Sequence, residues 1–142
     1  MFLLAVRNGF VKGIKTALML LKIMIPIYLI VVIIKHTPLF NIIADFFRPA
    51  MSLFNLPGDA VIPIISGIFG DEYAVIAAMG AFSFDKAMIT TIAMIVLCCH
   101  SIPVETAITH RIGMPAWKIA VFRFVLAVFT GIFVGFLGGL FL

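Results

Sequence analysis

The segment from Leu56 to Met79, LPGDAVIPIISGIFGDEYAVIAAM, is apolar enough for a bilayer, yet it is broken up as no plain spanning helix is. Pro57 and Pro63 lack an N–H, Gly58, Gly67 and Gly70 let the backbone leave helical dihedrals, and Asp59, Asp71 and Glu72 add charge. The run from Ser66 to Glu72 reads as the end of one short apolar helix, an unwound turn and the start of a second. In hydrocarbon, non-helical backbone persists only where protein or a water-filled cavity satisfies it. Each half has about 12 residues, too few to cross a core of about 30 Å at about 1.5 Å per residue. A re-entrant hairpin is therefore expected, with the rest of the chain as its scaffold.

Composition sets the class of that scaffold. The chain has 142 residues, 64% hydrophobic and 11% charged, and a mean hydropathy of +1.28. Soluble domains are about half apolar and about a quarter charged. An all-α, polytopic membrane protein is expected, with about three transmembrane helices, re-entrant half-helices and an amphipathic N-terminal helix, forming a single domain over residues 1–142. The net charge of +4 does not point to nucleic acid, because most basic residues flank apolar segments near the two ends of the chain. No cleavable signal peptide is expected, since Lys22 interrupts the first apolar run and no small-residue cleavage site follows it. Cys98 and Cys99 are adjacent and could bond each other only with strain, so they read as small buried hydrophobes.

In the first 16 residues Phe2, Leu3, Val6, Phe10, Val11 and Ile14 alternate at helical spacing with Arg7, Lys12 and Lys15. This suits a helix on an anionic membrane surface, or the cytoplasmic start of the first span. That span is expected over roughly 16–34, with Pro26 inside it. Residues 39–54 are amphipathic, and Asp45 and Arg48 can pair at i,i+3. Ser83 or Asp85 should cap a helix that spans from about 82 to 102 and stops at Pro103. A separate short helix is expected over 103–113: proline in its first turn, Arg111 in its last, Gly113 beyond. The final span runs from about 116 to 141, where Gly131, Gly135 and Gly139 form a small-residue stripe for close helix approach. With the N-terminus inside, Arg7, Lys12, Lys15, Arg111, Lys118 and Arg123 fall on the cytoplasmic side, and Lys35, Arg48 and Lys86 outside.

An internal repeat is visible. Leu56-Pro57-Gly58-Asp59-Ala60-Val61-Ile62 aligns with Ile102-Pro103-Val104-Glu105-Thr106-Ala107-Ile108, matching proline, acid and isoleucine, and Gly67 falls on Gly113. In inverted repeats, paired broken elements mark a midplane site. Asp71 and Glu72 open the second half-helix, where they either cap toward water or hold a cation, proton or polar group. His100, Ser101 and Glu105 form a second group, at the end of a span and across a proline turn. No metal-ligand spacing, phosphate-cradling loop or nucleophile–base set is present, so no cofactor and no enzymatic activity are expected.

The motifs LPGDA at 56–60, PIISGIFGDEYAVIAAM at 63–79 and HSIPVE at 100–105 resemble, in order and spacing, the nucleoside recognition or Gate domain family. That family includes spore maturation proteins A and B and the Gate segments of ferrous iron transporter B and of concentrative nucleoside transporters. The resemblance extends from about Gly13 to Gly131 and implies a membrane module with re-entrant half-helices, often used in solute transport. The iron-transporting relatives carry a motif like Gly-Phe-Gly-Cys-Asn, whose cysteine is replaced here by Asp71. The expected function is thus a small transporter-like protein of the bacterial inner membrane, acting as a homo-oligomer or with a second Gate-family subunit. It would bind or move a polar solute or ion at Ser66, Gly67, Gly70, Asp71, Glu72, Tyr73, His100 and Glu105. The alternative is a non-transporting membrane subunit that assembles with a partner Gate protein, the glycine stripe being its partner face.

Overall fold

A computed structural model describes residues 2–141, with side chains from 6 to 139. It is all-α among the described residues. Helix α1 (Phe2–Lys35) is followed by α2 (Pro38–Ser52), a 3-10 turn (Gly58–Ala60), α3 (Val61–Phe69), α4 (Glu72–Met79), α5 (Lys86–Cys99), α6 (Ile102–Arg111) and α7 (Ala116–Phe141).

The amphipathic N-terminal stretch and the first span run on as one helix, and Pro26 lies inside α1 without ending it. From Val6 to Met19 its side chains are exposed, and only beyond these does it settle on the body; Phe2 and Leu3 lie outside the described side chains. Helix α2 starts on Pro38, whose missing N–H costs nothing in a first turn. Its Asp45–Arg48 pair, at 4.0 Å, is solvated on both sides and contributes little.

The prolines and glycines of 56–80 do produce two short helices. α3 and α4 have nine and eight residues, about 14 and 12 Å long. They form a hairpin against α5. The chain before α3 lies near the start of α5, where Asn55 and Asp85 line one cavity. The end of α3 lies beside Ser101, just past the end of α5. Beyond α4 the Ala81 carbonyl is back beside Lys35, whose Nζ donates to it at 2.8 Å and sits over the Phe82 ring.

Three helical stretches are long and apolar enough to cross a membrane: Val6–Lys35, Lys86–Arg111 and Ala116–Gly139. The short helix expected over 103–113 is present as α6, Ile102–Arg111, and the structure adds that it lies in line with α5. α5 and α6 both run antiparallel to α7, with Ala87 against Gly138, Ile95 against Gly131 and Glu105 against Arg123. They are two halves of one stretch, interrupted at His100–Ser101.

The core lies where α5 meets α3, α4 and α7, around Ile92, Val96, Cys99, Ala60, Val61, Val75 and Ala127. Gly67 is what lets it close: a Cβ there would come within 2.7 Å of Val75 and 2.8 Å of Val96. The one buried polar residue among the described residues, Thr91, returns its hydroxyl to the Ala87 carbonyl at 2.9 Å. Cys98 and Cys99 are free thiols, and Cys99 is buried. The glycine stripe of α7 is not an open partner face. Gly131 packs on Ile95 and Phe54, Gly135 on the Phe54 backbone and Gly139 on the Asn55 amide, so this chain covers its own stripe.

The sequence repeat has a conformational counterpart. Among the described residues, two non-glycine residues have positive φ: Asn55 (56°) and Ser101 (49°). They are separated by the same 46-residue shift, and each directly precedes the Leu-Pro or Ile-Pro pair. One lies near the start of α5, the other beyond its end.

Candidate functional site

The site is built where the two helix breaks meet. Helix α3 stops at Gly70, whose N–H still reaches the Ser66 carbonyl at 2.9 Å. The carbonyls of Gly67 and Gly70 then need partners. Ser101 supplies both: its N–H donates to Gly67 O at 2.9 Å and its hydroxyl to Gly70 O at 2.5 Å. The left-handed turn at Ser101 costs about 1–2 kcal/mol for a residue with a Cβ, and these two bonds hold it.

The end of α5 is satisfied from α7. Arg123 donates from Nε to Cys98 O at 2.9 Å and from Nη2 to His100 O at 3.2 Å, and its Nη1 pairs with the Glu105 carboxylate. His100 is the hub. Its Nε2 lies 3.2 Å from Glu72 Oε1 and 3.4 Å from Glu105 Oε1, and its Nδ1 lies 3.3 Å from Leu97 O. Every atom facing the ring nitrogens is an acceptor, and the Arg123 guanidinium pairs with the second of the two carboxylates. His100 and Arg123 are largely buried (23% and 18% exposed), whereas Glu72 and Glu105 are about half exposed (48% and 42%). The carboxylates thus form the reachable edge, and the imidazole and guanidinium the floor.

The expected site residues divide accordingly. Glu72, His100 and Glu105 come together. Gly67 and Gly70 contribute carbonyls and close packing. The Ser66 hydroxyl is returned to Ile62 O at 2.8 Å within its own helix. Asp71 is engaged as the N-cap of α4, its Oδ1 accepting from Ala74 N–H at 2.9 Å, and it does not join the network. Tyr73, one residue round from Glu72, is exposed and makes no hydrogen bond among the described residues. Arg123 was the residue that sequence reasoning missed, having been read only as a topology signal. A charge eight residues into α7, two turns deeper than a boundary charge needs to be and beyond Lys118 near the helix start, was the available clue.

Among the described residues, no three His, Cys, Asp or Glu side chains converge as metal ligands do. Five cavities, of about 150 to 650 Å³, are formed elsewhere, and no residue of the network lines any of them.

A family profile described as nucleoside recognition (Gate) matches residues 17–115. Among curated proteins, the chain is 28% identical over 124 residues to the "Uncharacterized membrane protein YvoD" of Bacillus subtilis (strain 168). The match covers 87% of this chain and 40% of that protein, so the chain spans well under half the length of the relative. No solved structure matches.

Proposed function

Since the chain belongs to the nucleoside recognition (Gate) family of membrane proteins, we propose that it is a small transporter-like protein that binds or moves a polar solute or ion at its two broken helices. One observation carries this reading: His100 ties Glu72, on the α3–α4 hairpin, to Glu105, on the far half of the interrupted α5–α6 stretch. Two discontinuous elements with their charged groups facing each other are the construction by which transporters hold a solute near the midplane. A cation, or the donor groups of a polar solute, would take the place of the imidazole between the two carboxylates. Its loss would let His100 close again. The hairpin enters and leaves the bilayer on one side, and its rocking against α5 and α7 opens the site to each face in turn.

The protein sits in a bacterial inner membrane with its N-terminus cytoplasmic. Support for this orientation comes from Lys35 and Lys86 gathering at one end of the α5–α7 pair, and Arg111 and Lys118 at the other. A second copy or another Gate-family subunit completes the assembly.

The test is uptake into proteoliposomes, run with a panel of labelled nucleosides and small cations. Glu72→Gln and Glu105→Gln should each abolish uptake of whatever the wild type takes up, with membrane insertion intact. Asp71→Asn should retain it, because asparagine caps a helix as well as aspartate does. Uptake unchanged in both glutamine variants would remove the proposal. The other reading, a non-transporting assembly subunit, is the one left standing if the wild type takes up nothing yet co-purifies with a second Gate protein.

A further inference from the structure

The largest of the described cavities, about 650 Å³, lies away from the network, between the end of α6 and the start of α7. Its walls include Thr106, His110, Arg111, Met114 and Trp117, and no acid lines it. A hydrogen-bonded glycine turn shapes it. Gly113, at φ 81°, ends α6 with its N–H on His110 O at 3.1 Å, while Met114 N–H reaches back to Thr109 O at 3.2 Å. This pair of bonds closes a helix end on a left-handed residue that only glycine adopts freely. Pro115 then fixes the entry to α7.

Three features of this cavity point to one ligand chemistry. First, its one lining cation is unneutralised: among the described residues Arg111 makes no ion pair, and neither does Lys118, which lies outside the lining with its ammonium 5.7 Å from the centre of the Trp117 ring. Second, it stands at the start of a stretch apolar enough to span, and Trp117 is 66% exposed there. Trp is enriched at that depth because one end of its ring wants apolar surroundings and the other wants water. Third, the walls are mixed, with Met114, Pro103 and Ala107 beside Arg111. A free anion needs no apolar wall, whereas a phosphate ester that carries acyl chains uses both. We propose that this cavity is a binding site for the headgroup of an anionic phospholipid, with Arg111 and Lys118 on the phosphate, the Thr106 hydroxyl as a further donor and Trp117 against the upper acyl chain.

Trp117 is the single tryptophan of the chain, so its fluorescence reports on this cavity alone. The experiment places the full chain in phosphatidylcholine bilayers and titrates in phosphatidylglycerol with brominated acyl chains, which quench tryptophan on contact. Brominated phosphatidylcholine serves as the comparison. Phosphatidylglycerol should quench at a mole fraction at least fivefold lower. Arg111→Gln and Lys118→Gln should each weaken that preference about fivefold, the effect of one basic residue at an anionic surface. Arg111→Lys, which keeps the charge, should retain most of it. Lys86→Gln, an equal charge change at the opposite end of the α5–α7 pair, should leave it unchanged. Equal quenching by both lipids, or equal losses in Lys86→Gln and Arg111→Gln, would overturn the site. Displacement of the brominated phosphatidylglycerol by millimolar inorganic phosphate would overturn the lipid assignment in favour of a soluble phosphate.

Discussion

The breaks at Asn55 and Ser101 share a left-handed backbone, a following proline pair and a 46-residue offset, yet they are wired differently. Asn55 closes its own helix: its N–H reaches Ser52 O at 3.1 Å, and Leu56 N–H reaches Met51 O at 3.1 Å. Its side chain makes only a long contact, 3.5 Å, with Gly135 O. Ser101 gives both its donors to another element, the end of α3, and leaves the end of its own helix to Arg123. One break is a local cap and the other is a joint between elements. The charged residues gather at the joint. A cap satisfied within its own helix offers nothing for distant side chains to meet around, whereas unsatisfied carbonyls in an apolar setting recruit partners from wherever the chain can supply them.

The comparison is most easily broken at Arg123. Arg123→Met removes three donated bonds and leaves the carbonyls of Cys98 and His100 without their partner. It should cost about 3 kcal/mol, read as a lowered thermal midpoint in detergent, and it should not be rescued by lysine, which lacks the planar fork. A cost as small as that of an exposed charge would show that the joint is held by packing alone. Next comes the contact surface of the joint. Gly67→Ala forces a methyl against Val75 and Val96 and should cost about 2 kcal/mol, whereas the same change at Gly9, where nothing lies within 4 Å, should cost nothing or stabilise. The smallest effect separates the two breaks directly. Asn55→Gly relieves the left-handed strain at a position with little side-chain bonding, and should stabilise by about 0.5 kcal/mol. Ser101→Gly gains the same relief but loses the hydroxyl bond to Gly70, and should come out neutral or about 0.5 kcal/mol destabilising. Equal shifts at the two positions would mean that the joint is only a second cap.

Much of the local structure was legible. Asp85 caps α5 by accepting from Met88 N–H at 2.8 Å, Pro103 stands in the first turn of α6 and Gly113 lies beyond its end. Each follows from a backbone group left unsatisfied within a turn of the residue that meets it. The same reasoning could not choose for Asp71 between cap and ligand, because both uses need a carboxylate at a helix start. Arg123 was read as a boundary charge because its partners lie 18 to 25 residues away in sequence. The glycine stripe was open to misreading for a related cause. Small residues permit close approach, but nothing in their spacing says whether the approaching surface belongs to this chain or another.

By itself the sequence determined that the chain lives in a bilayer, that it is helical, and where its helices must break. Apolar content, proline and glycine act within one or two turns, and that is the range over which their effects are decided. The tertiary structure alone decided that the break at Gly70–Asp71 meets the one at Ser101, that α6 continues the line of α5, and that His100 joins Glu72 to Glu105 over the Arg123 guanidinium. Those contacts depend on how α3, α5 and α7 pack. That packing turns on Gly67 and Gly131 letting whole helices approach, which no local pattern records.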